Sequence, residues 1–195
     1  MKPLQLLILP VAIMAAVSCT TITGETDTTV KAKHGVPGGA VTETTTLTAT
    51  VTGIDTAKRK VTMVTKKGEK FTVKAGPEVV NFDQIRIGDQ LKAVFTEETV
   101  IRMAKPGEKV DDEAYGTLGV ADVGSKPGFK MTDTIQYAGT VTAIDTKKRK
   151  ATISFEDGSS KKFSVRPDID LSKHKIGEKV VFRSNESYAI SLQKP

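Results

Sequence analysis

Along most of the chain apolar side chains alternate with polar ones, the period of a half-buried strand. Leu47, Ala49 and Val51 alternate with Thr residues between positions 46 and 52. Val61 and Met63, Phe71 and Val73, Leu91, Ala93 and Phe95, and Ile101 and Met103 continue the pattern. A second series runs through Val141 and Ala143, Ile153 and Phe155, Phe163 and Val165, Val180 and Phe182, and Ile190 and Leu192. Between the third and fourth strand of each series lie Val79 to Ile85 and Ile169 to His174, each long enough for one helical turn. Three strands, a short helix and two strands is the order of an OB-type barrel; an SH3-like barrel or an open five-stranded sheet fits the same pattern. The polar pairs Glu97-Glu98 and Asn185-Glu186 fall where a fourth strand would turn into a fifth, as solvated hairpin tips.

The two series are copies of each other. Slid by ninety positions, Thr50 to Lys60 returns as Thr140 to Lys150, and eleven of the nineteen residues from 50 to 68 are identical. The offset shortens slightly downstream, where Ile87-Gly88-Asp89 matches Ile176-Gly177-Glu178. A repeat of this length marks a duplicated unit. The prediction is an all-β chain with one short helical turn per module, arranged as two tandem small five-stranded OB-like β-barrels, module 1 over 44–103 and module 2 over 134–195. Residues 104–133, with Lys105-Pro106-Gly107 and glycines at 116, 119, 124 and 128, read as a linker in which Tyr115, Leu118 and Val120 could pin one stretch to a barrel.

The amino terminus follows a different rule. Lys2 precedes an apolar run from Leu4 to Val17, too short to cross a bilayer and built like a secretory signal over residues 1–18. Ala16-Val17-Ser18-Cys19 resembles the lipobox of bacterial lipoproteins, with Ala where Leu is most common; the same residues also satisfy the rule for an ordinary signal peptidase. Cys19 is the only cysteine, and a free thiol in an oxidising compartment favours its lipidation. The expectation is an exported protein anchored through Cys19, facing the periplasm from the outer membrane in a Gram-negative cell. Residues 19–43 then read as the lipidated Cys and a flexible Thr-rich tether of roughly 25–30 Å.

Taken together, the phrases Thr48 to Asp55, Asn81 to Asp89 and Tyr188 to Leu192 resemble an uncharacterised family of exported bacterial proteins, over roughly residues 37 to 193. The resemblance implies an envelope address and small β-barrels, and carries over no functional residue. The second copy departs by having Asp168-Ile169-Asp170-Leu171 where the first has the Asn-Phe-Asp-Gln phrase.

Charge adds one candidate site. The net charge is +6, and a basic turn occurs twice, as Lys58, Arg59 and Lys60 and as Lys147, Lys148, Arg149 and Lys150. Such turns suit anionic lipids or envelope polymers; their plainer reading is a charged hairpin opened by Asp55 or Asp145. Sparse aromatics and export argue against nucleic acid. His34 and His174 lack neighbours at ligand spacing and Met63 and Met103 sit at core positions, so no metal or other cofactor is expected. No nucleophile and base stand in a recognisable motif. The sequence therefore predicts a non-catalytic binding or scaffolding module, its partners the membrane and an envelope protein or polyanion, with a small-ligand or metal carrier as the alternative.

Overall fold

The computed structural model describes residues 22–195 apart from 78 and 123; residues 1–18, expected to be a signal, and Cys19 lie outside the described residues. Among the described residues the chain is all-β, with ten strands in one antiparallel sheet. They are β1 (Glu25–Lys31), β2 (Gly38–Asp55), β3 (Lys60–Thr65), β4 (Lys70–Lys74), β5 (Gln90–Met103), β6 (Glu113–Val120), β7 (Gly128–Asp145), β8 (Lys150–Phe155), β9 (Ser160–Ser164) and β10 (Lys179–Gln193). One 3-10 turn per copy, Phe82–Gln84 and Leu171–Lys173, interrupts each series where the short helix is expected.

The sheet order is β4-β3-β2-β5-β10-β7-β8-β9, with β1 added to the free edge of β2 and β6 to that of β7. The long strand β2 is lined on one edge by β5 and on the other by β1 and then β3. Strand β7 repeats this with β10, β6 and β8. At the centre β5 and β10 pair without interruption, from Gln90 opposite Gln193 to Met103 opposite Val180. Glu97 and Glu186, equivalent positions of the repeat, face each other there. An approximate two-fold axis thus passes between them, relating one copy to the other.

The expected pair of separate five-stranded barrels is instead one ten-stranded sheet, its path ending at β4 and β9. Residues 90–103 are one straight-through strand, so Glu97-Glu98 and Asn185-Glu186 sit mid-strand and not at hairpin tips. Each long strand crosses the axis and completes the core of the opposite copy. Leu192 packs with Ala49, Val51, Val61, Met63, Phe82 and Ile85 of the first copy. Ile101 and Met103 pack with Val141, Ile153, Val180 and Phe182 of the second. A core that borrows a strand from the other copy ties the two into one unit, and each buried aliphatic contributes about 1.5–3 kcal/mol.

Two segments expected to lack structure are strands. Within 19–43, residues 25–31 form β1 and 38–43 open β2; within 104–133, residues 113–120 form β6 and 128–133 open β7. Tyr115, Leu118 and Val120 lie on β6 with half or more of their surface exposed, paired to β7 and not pinned to a core. The connections are anchored reciprocally. Arg166 of the second copy donates to the carbonyls of Lys33, Val36 and Gly38, and Asp168 accepts from the Gly35 N–H at 2.9 Å. In the first copy Asn81 donates to the Asp122 carbonyl, and the Lys126 ammonium reaches the Gln84 carbonyl and the Asp89 carboxylate.

Between the two cores the sheet is a single layer. All of β1 and β6 is exposed, and most residues of β2, β5, β7 and β10 near the axis are half-buried on either face. In the curled ends, a bulge at Thr52 and an equivalent one at Thr142 turn β2 and β7 over their cores, the usual effect of an extra residue on local twist.

Candidate functional site: two basic turns and an acidic centre

Each basic turn is built by the same devices. The Asp55 carboxylate accepts from the Lys58 N–H at 3.0 Å and Asp145 from Lys148 at 2.8 Å, the local bond that opens an Asx-type turn. Arg59 and Arg149 close the turns with φ of 50° and 51°, a left-handed conformation that usually selects Gly. An arginine holds the position because its side chain folds inward. The Arg59 guanidinium donates to the carbonyls of Ala75, Gly76 at 2.9 Å and Val79 at 2.8 Å, and stands over the Phe82 ring at 4.7 Å. Arg149 donates to the carbonyls of Arg166 and, at 2.7 Å, Ile169, while its Nε is buried without a partner.

The arginines of the two basic runs are therefore fasteners for the loop that carries each 3-10 turn. What remains for a ligand is lysine. Lys58, Lys60, Lys147, Lys148 and Lys150 are all exposed, and Lys74, directly opposite Lys60 on β4, adds a further ammonium that the motif alone does not reveal. An open depression of about 500 Å³ lies among Ala57, Lys58, Arg59, Lys60 and Lys74.

Strand direction sets where these turns sit. Strands β2, β5, β10 and β7 alternate in sense across the sheet, so β2 and β7 run oppositely. The β2–β3 and β7–β8 turns consequently lie at opposite ends of the molecule. From Glu43 at the axis to Asp55 is twelve residues, and from Asp133 to Asp145 twelve more. At roughly 3.3 Å per residue the turns are separated by up to about 80 Å along the strands, less what coiling takes up.

The centre has the opposite charge. Glu43 faces Glu97, Glu97 faces Glu186, and Glu186 faces Asp133, a row of four carboxylates across four strands on one face. Beside it Phe95 and Tyr188 pair with centroids 4.8 Å apart, and the Tyr188 hydroxyl donates to Glu186 at 3.2 Å. Desolvation first, then the charge of Glu186, raises the Tyr188 pKa, and Asp133 and Glu97 add to it. The row is a line, not a cage: among the described residues no three His, Cys, Asp or Glu side chains are grouped to hold a metal ion. On the other face Asn185 donates to Glu98 at 3.0 Å and accepts from Thr134 at 3.0 Å, and Arg183 donates to the Tyr115 hydroxyl at 2.9 Å.

Other candidates from the sequence have structural partners. Met63 is buried and Met103 packs against the second core. His174 Nδ1 lies 2.9 Å from Glu178, and His34 is exposed in the β1–β2 turn.

Fold and charge layout thus define an all-β, internally duplicated protein with like-charged ends. No protein-family model and no curated protein matches the chain.

Proposed function

We propose that the protein is a non-catalytic binding module of the cell envelope, exported, anchored through Cys19 on the outer membrane, and contacting anionic lipid or polymer through its lysine-bearing turns. The observation that carries this reading is the basic turn itself. Duplication has kept it in both copies, an inward arginine fixes its shape, and its lysines stay in water. Lysine ammoniums so displayed act as point charges toward phosphate groups.

The position of β1 bears on the anchor. Five residues separate Cys19 from Glu25, a reach of at most about 20 Å. A lipid at Cys19 would hold the sheet close to the headgroups, on the side of the first copy. The test is retention on phosphatidylglycerol vesicles as a function of salt. Changing Lys58, Lys60, Lys74, Lys147, Lys148 and Lys150 to Ser should abolish retention at physiological ionic strength; retention equal to that of the unmodified protein would refute the anionic-contact reading. Fractionation tests the anchor separately: Cys19→Ala should move the protein from the membrane to the soluble periplasm.

A further inference from the structure

Three features bear on how the two turns work together. First, they are matched in charge, though not residue for residue: each carries three exposed lysines, Lys58, Lys60 and Lys74 at one end and Lys147, Lys148 and Lys150 at the other, Ser164 standing where the first copy has Lys74. Second, they lie at opposite ends of the sheet, since β2 and β7 are antiparallel and the uninterrupted β5–β10 pairing holds them apart. The strand path between them, up to about 80 Å, is far longer than the Debye length of about 8 Å, so each end meets its own ionic environment. Third, the row of Glu43, Glu97, Glu186 and Asp133 lies between them. An anionic surface approaching that face broadside is repelled where it would have to pass to touch both ends.

We propose that the protein is a two-ended bridge, in which each lysine turn takes a separate phospholipid surface and one molecule holds two such surfaces together. The proposal rests on the anionic-contact reading and goes beyond it, because contact alone requires one end and bridging requires both. With Cys19 anchored beside the first copy, the turn at 147–150 is the end that reaches outward.

The experiment uses exported Cys19→Ala protein, which retains the whole sheet without a lipid, and phosphatidylglycerol vesicles. Co-sedimentation reads contact and dynamic light scattering reads vesicle clustering. Two variants each remove one end: Lys58→Ser with Lys60→Ser and Lys74→Ser, and Lys147→Ser with Lys148→Ser and Lys150→Ser. These side chains are exposed, and an unchanged circular dichroism melt verifies that both variants fold. The bridge predicts clustering by the unmodified protein, and for either variant retention that is reduced but still measurable, with clustering lost to the protein-free level. Retention without clustering by the unmodified protein, or clustering by a one-ended variant equal to it, overturns the bridge while the contact reading stands. Absence of retention by the unmodified protein overturns both.

Discussion

The two copies of the repeat fold the same strands around different cores. The first is mainly aliphatic, built from Val51, Val61, Met63 and Ile85, with Phe82 delivered from the 3-10 turn. The second is aromatic: Tyr137, Phe155 and Phe163 surround Phe182, with centroids 5.3 to 5.6 Å from its ring. At the matching positions the first copy has Leu47, Thr65, Val73 and Ala93, and where it has Phe82 the second has Leu171. Backbone follows core. A Cβ on Gly139 would come within 2.3 Å of Ile153 and 2.9 Å of the Phe155 ring, whereas its counterpart Ala49 is accommodated.

The loops differ in the same way. Asp89, buried to 1% exposure, takes the Lys126 ammonium and the Arg86 N–H, while its counterpart Glu178 pairs with His174 near the surface. The lesson is that duplication preserved the shared features, namely the turns, the bulges and the central pairing. Each copy solved its own interior separately.

Substitutions that strike one copy test how far this independence extends. The largest effect belongs to Phe182→Ala, which empties the centre of the aromatic cluster and should cost about 3–5 kcal/mol. Because β5 and β10 serve both cores, hydrogen exchange should show amides of both copies losing protection together. Loss confined to residues 134–183 would show the copies to be separable.

Next comes Lys126→Ala, which strands the buried Asp89 carboxylate and should cost about 3 kcal/mol in denaturant unfolding. His174→Ala, breaking the more exposed pair of the second copy, should cost under about 1 kcal/mol. Equal losses would mean that burial does not distinguish the two pairs.

Acid sharpens the comparison of the connections. The hydrogen bonds of the Arg102 guanidinium, with the Lys105 N–H, hold Glu108 at a pKa of about 2, and those of Arg166 and the Gly35 N–H hold Asp168 well below the ordinary range. Folded values below unfolded ones mean stability that is present above the unfolded pKa of about 4 and lost as pH falls through the folded values. Urea midpoints should therefore fall below pH 4, and Asp168→Asn should flatten part of that limb. An identical slope in the variant would remove Asp168 from the account.

The smallest effect has the opposite sign. Glu97→Gln with Glu186→Gln relieves like charges directly opposite one another and should raise stability by about 0.2–1 kcal/mol. The gain should shrink in high salt.

How much of this is legible in the sequence follows from where the cores are. Strands with one buried face, such as Val61–Met63 or Phe163–Val165, show clean alternation and are read correctly, as are the 3-10 turns and the repeat. In the single-layer centre neither face is buried, so the hydrophobic signal vanishes. Thr96 to Val100 then looks like a turn, Thr26 to Glu43 like a tether and Glu113 to Val120 like a linker. The signal available there was composition: Thr is a strand former, and the runs 38–55 and 90–103 contain no Pro. At the basic turns the charge was legible, but the inward fold of Arg59 and Arg149 depends on carbonyls sixteen to twenty residues away. Lys74 joins Lys60 only through strand pairing, and the placement of the turns at opposite ends only through topology.

That topology rests on β5 and β10 each being one strand. The most direct test is a backbone proton NOE between Glu97 and Glu186 in the labelled protein. The shared sheet predicts it, with neighbouring contacts between Phe95 and Tyr188 and between Ile101 and Phe182. Contacts instead between Thr96 and Thr99, with none from Glu97 to Glu186, would place a hairpin at each of these sites and contradict the account.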